Sequence, residues 1–164
     1  MHSIDEISTV GVPNHSFEGV FDFKLDAKVR VSVPSEWRPS RGEALTLRLL
    51  RWKTYGVPVL KALTDEAFEA MIWSIDNDPD LKAGPRGQKK GLLYSLNTPV
   101  TINEQGKLLI PKKVAEENGL SSGGAAHLYG RGTNFDIVSP RDHAAMNEAE
   151  ARMLTELYDT VDFS

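Results

Sequence analysis

The sequence predicts an α+β fold, mainly β, made of two halves related by a pseudo-twofold axis. The first indication is an internal repeat, because Asp26–Pro34 returns 77 positions later as Asn103–Pro111. The second is an alternation of apolar and polar residues through 25–33, a period of two that is typical of a half-buried strand or the arms of a tight hairpin. The third is the order of elements: each half reads as strand, turn, strand, short helical turn, two strands and a helix.

The composition is that of an ordinary globular protein, with 40% apolar and 26% charged residues in a chain of 164. Cysteine is absent, which excludes disulfides, zinc-thiolate sites and cysteine nucleophiles. We expect neither a signal peptide at the N-terminus nor a membrane span, because no apolar run approaches the ~20 residues that a membrane helix needs.

The net charge of −4 is unevenly distributed along the chain. Residues 17–62 carry nine bases and five acids, whereas residues 63–81 carry six acids and no base, and residues 147–164 carry five acids and one base. The segment that holds the first repeat is therefore basic, so a local basic face is compatible with an acidic chain. A solvated surface of mixed charge is the other interpretation of the same pattern.

The first half begins with an alternating segment, residues 17–25, which predicts a strand. It leads straight into residues 26–34, and the two segments together predict a β-hairpin. Asp26, Lys28 and Arg30 are expected to share one face of it. Proline cannot donate to a ladder and ends the run at residue 34, after which one helical turn should pack Trp37 inward.

Two strands and a helix complete the first half. Residues 44–50 and 55–60 predict a strand pair, and Thr64 is a favourable N-cap for a helix with an acidic first turn. The apolar stripe of this helix consists of Leu63, Ala67, Phe68, Met71, Ile72 and Ile75. Residues 83–87 are interpreted as a loop and residues 88–96 as a short helix.

The second half repeats this order. Residues 98–102 and 107–110 predict two strands, and a short helix should open at Pro111 and end at Gly119. Residues 125–129 and 134–138 predict two strands with a glycine-rich connection. A last helix should follow Ser139, run through Met146 on a pattern that continues to Leu157, and fray at its acidic end. The predicted boundaries are a flexible leader at 1–16, a first half at 17–82, a linker with a short helix at 83–97, a second half at 98–146 and an acidic C-terminal helix or tail at 147–164.

These elements and residues resemble the MraZ family, whose halves are of the SpoVT/AbrB swapped-hairpin type. The resemblance covers residues 17 to about 146. In the first half the matching residues are Phe17, Gly19, Leu25, Asp26, Lys28, Arg30, Pro34 and Arg38. In the second half they are Gly106, Leu109, Ile110, Pro111, Gly119, Leu120, Gly130 and the strand Asn134–Ile137.

The resemblance implies two AbrB-type halves whose hairpins interleave, forming a double-psi-like β-barrel with peripheral helices. It implies a ring-like homo-oligomer in the cytoplasm, associated with the nucleoid. It also implies binding to double-stranded promoter-region DNA and regulation of the transcription of cell-division and cell-wall genes. We expect no cofactor, no metal, no membrane partner and no small-molecule substrate.

The family's DNA contact is attributed to an Asp-x-x-x-Arg motif in each half. In this sequence the motif falls on Asp26 and Arg30, and its second copy falls on Asn103 and Lys107. With the neighbouring cations included, the predicted DNA-binding residues are Lys24, Asp26, Lys28, Arg30, Asn103 and Lys107.

Three positions depart from the family pattern. Val29 stands where the family has glycine, and a β-branched residue disfavours positive φ, so we predict that the first turn differs in shape or that Arg30 points elsewhere. Lys107 replaces arginine and cannot make a planar bidentate contact with guanine or phosphate. Asn103 lacks the carboxylate that would orient the base.

Two other function classes compete with a regulator. One is an oligomeric, antitoxin-like interaction module without DNA binding, whose contact surfaces would be the acidic helix 65–75 and the acidic tail. The other is an enzyme, which we do not expect, because the four histidines are scattered without a neighbouring nucleophile and acid. Here His127 is interpreted as a strand histidine and His143 as part of a helix cap.

Overall fold

The computed structural model describes residues 16–40 and 42–162, so the predicted leader lies outside the described residues except for Ser16. The strands are β1 (Val20–Lys24), β2 (Arg30–Ser32), β3 (Leu45–Thr54), β4 (Val57–Thr64), β5 (Thr98–Ile102), β6 (Lys107–Leu109), β7 (Ala125–Gly130) and β8 (Asn134–Val138). The helices are α1 (Asp65–Asp76), α2 (Ala83–Leu96), α3 (Lys112–Glu117) and α4 (Pro140–Thr160), with a short 3₁₀ helix at Ser35–Trp37.

All eight strands pair antiparallel in a single sheet with the order β1-β7-β8-β4-β3-β5-β6-β2. The two edge strands, β1 and β2, are consecutive in the chain and are joined by residues 25–29, which brings the ends of the sheet together into a nearly closed barrel. The predicted mainly-β α+β fold is therefore confirmed. Among the described helices, none is long and apolar enough to cross a membrane.

The predicted hairpin between residues 17–25 and 26–34 forms only in part: its turn closes through the Asp26 N–H and the Arg30 carbonyl at 3.0 Å, but β1 and β2 share no ladder. Instead, β1 pairs with β7 and β2 pairs with β6, both from the second half, while β5 pairs with β3 of the first half. Alternation in a sequence defines the two faces of a strand but not its partner. Each half thus completes the sheet of the other.

The pairing of β2 with β6 lies on the pseudo-twofold axis. Arg30 is opposite Leu109, Val31 is opposite Leu108, and Ser32 is opposite Lys107. The sequence repeat places Val31 on Leu108, so the pair at the centre of this ribbon consists of two equivalent residues. The same axis exchanges the pair of Arg30 and Leu109 with the pair of Lys107 and Ser32.

The barrel interior is filled by the apolar faces of the strands and by one aromatic cluster. Trp37 is fully buried, as predicted, and its ring centroid lies 5.5 Å from that of Phe17 and 4.8 Å from that of Phe135. Its indole Nε1 donates a hydrogen bond of 3.0 Å to the carbonyl of Glu18, which satisfies the one polar atom of the side chain.

The helices pack outside the barrel. Thr64 caps α1 as predicted, because its Oγ1 accepts a 3.1 Å hydrogen bond from the N–H of Ala67.

The predicted loop at 83–87 is wrong, since α2 already begins at Ala83. Pro85 is tolerated there because the N–H groups of a first turn have no intrahelical acceptor. The final helix, α4, is continuous from Pro140 to Thr160.

Candidate nucleic-acid interface

The first motif is a tight turn closed by the side chain of Asp26. Its Oδ1 accepts hydrogen bonds of 2.9 Å from the N–H groups of both Lys28 and Arg30. The backbone closes the same turn: the N–H of Asp26 donates to the carbonyl of Arg30, and the N–H of Val29 donates to the carbonyl of Asp26, both at 3.0 Å. Four bonds therefore fix the conformation of five residues.

The second motif forms the same turn, bond for bond. Asn103 Oδ1 accepts the N–H groups of Gln105 and Lys107 at 2.9 Å. The N–H of Asn103 donates to the carbonyl of Lys107, and the N–H of Gly106 donates to the carbonyl of Asn103, both at 2.9 Å. These bonds need only a side-chain oxygen as the acceptor, so asparagine closes the second turn as aspartate closes the first.

Val29 adopts a φ of 59°, close to the 76° of Gly106 at the equivalent position. The prediction that the first turn differs in shape, or that Arg30 points elsewhere, is therefore wrong. A left-handed β-branched residue is strained, but the hydrogen bonds of Asp26 hold the turn on both sides of it, and the Val29 side chain is buried in the core. The surrounding structure thus determines a conformation that valine alone would avoid.

The β2–β6 ribbon carries the two motif cations on the same face. Val31 and Leu108 point inward and are fully buried, so the residues on either side of them in each strand point outward. Arg30 and Lys107 are diagonal neighbours on that outer face, a relation that separates residues by about 7–8 Å in an antiparallel pair. Ser32 lies between them on the same face. We call this surface the ribbon face.

The guanidinium of Arg30 is held by Asp26. Its Nε donates to Asp26 Oδ2 at 2.9 Å, and each side chain keeps about a third of its surface exposed (31% and 34%). The pKa of the Asp26 carboxyl is lowered, chiefly by the hydrogen bond from the Arg30 backbone N–H and further by the guanidinium. Within residues 16–40 and 42–162, only the Nε of this guanidinium has a hydrogen-bond partner, so both Nη groups are available for a ligand.

In the second half the cation is positioned differently. Lys107 donates from Nζ to the hydroxyl of Ser32 across the ribbon, instead of to Asn103. Lysine therefore presents a point charge held by a neutral partner, whereas Arg30 presents a planar fork held by a carboxylate. The two halves have the same backbone but unequal cations.

The structure brings together four of the six predicted site residues, Asp26, Arg30, Asn103 and Lys107, at the ribbon and its turns. Lys28 is exposed at the tip of the first turn. Lys24 is exposed at the end of β1, where it is paired with Ala125, and so it lies off the ribbon face. The expectation that Asp26, Lys28 and Arg30 share a strand face is wrong, because residues 26–29 form a turn.

A further cation lies beside the second turn. Arg38 donates from Nε to the carbonyl of Val33 at 3.3 Å, and a Cβ added to Gly106 would lie 2.2 Å from that Nε. Arg38 matches the family pattern, but only the pairing of the two halves places it against the second turn. Ser32 was not identified from the sequence either, because its role depends on the register of β2 against β6.

The expectation that the histidines are scattered is wrong for two of them. His127 and His143 stack face to face, with ring centroids 3.5 Å apart and planes inclined by 2°. Asp22 Oδ1 lies 2.6 Å from His127 Nδ1. These residues belong to β7, α4 and β1, so their proximity depends on the tertiary fold.

Comparison with known proteins identifies the family. No family model matches the sequence. The chain is 28% identical over 163 residues to the transcriptional regulator MraZ of Ruegeria sp. (strain TM1040), covering 89% of this chain and 91% of that relative. It is 30% identical over 142 residues to the transcriptional regulator MraZ of Gluconacetobacter diazotrophicus, with coverage of 83% and 85%. A third relative, the transcriptional regulator MraZ of Hydrogenovibrio crunogenus, is 26% identical over 123 residues, with coverage of 75% and 79%. With the two matched turns and the interleaved halves, these similarities show that the chain belongs to the MraZ family.

Proposed function

We propose that this protein is a transcriptional regulator of the MraZ type that binds double-stranded promoter-region DNA through the ribbon face. The observation that carries the proposal is that two equivalent turns present Arg30 and Lys107 on one outward surface about the pseudo-twofold axis. Transcriptional regulation is the role named for all three relatives.

A two-stranded ribbon has a suitable shape for this task. The major groove of B-DNA is about 12 Å wide and admits a two-stranded β-ribbon. In an antiparallel pair, the local twofold axis runs perpendicular to the ribbon. The ribbon face would therefore meet the two DNA strands in similar ways, as symmetric regulators meet the half-sites of their operators.

The two cations would make unequal contacts. Both Nη groups of Arg30 can form a bidentate contact to guanine or to a phosphate, in an orientation set by Asp26. Lys107, with Asn103 in its turn, supplies a point charge suited to a phosphate. The exposed Lys24 and Lys28 would add phosphate contacts at the rim. In this proposal the first half reads the base sequence, and the second half anchors the backbone.

One ribbon offers few contacts, so we propose that the protein acts as a ring-like homo-oligomer in the cytoplasm, associated with the nucleoid. Several ribbons presented together gain affinity through effective concentration. The distal part of α4 supports self-association, because Leu154, Leu157 and Tyr158 are 44%, 51% and 71% exposed there. We also propose that the two halves exchange their β-hairpins, as in domains of the SpoVT/AbrB swapped-hairpin type.

The test is a salt series of DNA binding measured by fluorescence anisotropy. Duplexes of random sequence and of the region upstream of the protein's own coding sequence are compared for wild type, Arg30→Ala and Lys107→Ala. Lys89→Ala, an exposed cation on α2, is the matched control. Each lost phosphate contact should lower the slope of log K against log[salt] by about 0.9, and loss of a base contact should reduce discrimination by about tenfold or more.

The possible outcomes separate the function classes. A wild-type protein that fails to bind either duplex at low salt would refute the regulator proposal. If light scattering then still shows an oligomer, the antitoxin-like interaction module without DNA binding becomes the better function. Equal affinities for wild type and Arg30→Ala would remove Arg30 from the contact surface. A monomer by light scattering would contradict the ring.

A further inference from the structure

A second cluster of potential ligands lies away from the ribbon. Asp22 on β1 is directly opposite His127 on β7 in the strand register, so the sheet itself positions this pair. His143, in the first turn of α4, stacks on His127. One ligand atom from each of the three residues lies within 4.8 Å of the others. Three elements that are distant in sequence therefore converge on one place.

The cluster is partly buried, but it is accessible from one side. His127 is 8% exposed, whereas the Asp22 side chain is 69% exposed and forms the solvent-facing wall. In the described part of the chain, His127 Nε2 and His143 Nδ1 have no hydrogen-bond partner, and His143 Nε2 lies 3.5 Å from the amide nitrogen of Asn147. Much of the ligating capacity of the two rings is therefore unused.

Polar side chains border the cluster on the helix side. The ring centroid of Tyr129 lies 6.4 Å from that of His143. Asn147 accepts the hydroxyl of the same tyrosine at 2.9 Å, which fixes a polar residue beside His143. Such outer contacts orient metal-binding histidines in proteins.

The pseudo-twofold axis provides an internal comparison. The equivalent place in the first half holds Arg48 on β3, whose guanidinium lies 4.6 Å from the ring centroid of Phe68 on α1, with Pro99 opposite on β5. These residues pack a helix against the sheet without any ligand for a cation. The second half makes the same packing contact with a set of side chains that can coordinate one.

We propose that Asp22, His127 and His143 bind one divalent transition-metal ion of the Zn²⁺ class. Imidazole nitrogens at about 2.0–2.1 Å and a carboxylate oxygen at about 2.0–2.2 Å form a common zinc set, which leaves an open position for water. Because imidazole lone pairs lie in the ring plane, the stack must open for both rings to coordinate. His143 is half-buried at a helix start and can rotate about its side-chain bonds without moving the sheet. The bound ion would tie α4 to the β1–β7 edge.

The experiment is calorimetric titration of Zn²⁺ into the full chain after removal of metals with a chelator, with Co²⁺ absorption as a second readout of the ligand set. Wild type should bind one ion per chain and gain thermal stability. Asp22→Asn and His143→Phe should each weaken binding by at least about tenfold. His143→Phe also recreates the ring found at Phe68, so it should preserve the packing. Glu148→Gln, an exposed carboxylate on the same helix, should bind like wild type.

Several results would overturn the proposal. Absence of Zn²⁺ binding by the folded wild type would assign the histidine stack to packing alone. Equal affinities for wild type and His143→Phe would place the ion elsewhere, for example at His2 and His15. If near-ultraviolet circular dichroism shows His143→Phe to be unfolded, the Zn²⁺ affinity of Asp22→Asn tests the proposal instead. An amide preserves the shape of an exposed carboxylate, so this variant should fold, and an affinity equal to that of wild type would overturn the site.

Discussion

Replacing Val29 by glycine should cost much less stability than the same change at Val31, although the two valines are neighbours in one motif. Both side chains are buried, with 9% and 0% of their surfaces exposed. Only Val29 has a positive φ, at 59°. The comparison therefore separates the gain from relieved backbone strain from the loss of buried surface.

The expected magnitudes follow from the structure. Removing three carbons from a buried valine costs about 2.4 kcal/mol at about 0.8 kcal/mol per carbon. The added flexibility of glycine costs about 0.5–1 kcal/mol more. Nothing offsets this loss at Val31, so Val31→Gly should destabilise by about 3–4 kcal/mol. At Val29, relief of the left-handed conformation returns about 1–3 kcal/mol, which leaves a net cost of about 0–2 kcal/mol.

The assay is urea unfolding followed by circular dichroism. All variants are compared at one protein concentration, because self-association would shift the apparent stability. A Val29→Gly variant that loses as much stability as Val31→Gly, or more, would refute the reasoning. The turn would then hold no strain that glycine can relieve.

Three further predictions concern the same turns and the barrel. The stability of Asp26→Asn should depend less on acid pH than that of wild type. The pKa of Asp26 in the folded protein lies below the unfolded value of about 3.9. The ionised carboxylate therefore stabilises the fold above about pH 3.9, and this contribution is lost as the pH falls through the folded pKa. Unfolding followed between pH 7 and pH 2 checks this, and parallel curves would contradict it. Gly106→Ala should destabilise by about 1–3 kcal/mol, because the new Cβ would lie 2.2 Å from Arg38 Nε at a φ of 76°. Arg38→Ala in the same chain should recover the steric part of this loss in urea unfolding, and the absence of any recovery would exclude the clash. Lys61→Met should cost about 1–3 kcal/mol, because it removes the ammonium group that donates at 2.7 Å to the fully buried Asp136, whose other oxygen still accepts from Arg131 Nε at 3.0 Å; a change below about 0.5 kcal/mol in the same assay would show that the Lys61 bond is dispensable.

Much of the fold could be predicted from local pattern. The alternation through residues 25–33 identified the buried Val31 and Val33, and the capping residue Thr64 identified the start of α1. These signals are local because strand periodicity, helix caps and proline or glycine at helix ends act within a few residues. The loop predicted at 83–87 failed for the same reason, since the glycines and proline there were read without the helix that contains them.

The candidate site could be predicted only in part. The repeat identified Asp26, Arg30, Asn103 and Lys107 as equivalent residues, but it did not show that the two cations share one ribbon face. That placement depends on the register of β2 against β6. A register between distant strands is selected by the packing of the whole barrel, and no short segment of the sequence encodes it.

The sequence by itself determined that the protein is built twice from one pattern, and which residues of each copy are equivalent. The tertiary structure decided which strands pair, because the edges of each half are completed by the other half. It also decided that Val29 takes a conformation that local preference disfavours, since side-chain hydrogen bonds and burial on both sides of the turn outweigh about 1–3 kcal/mol of strain. The convergence of Asp22, His127 and His143 arose in the same way, from sheet register and helix packing that act over more than a hundred residues of chain.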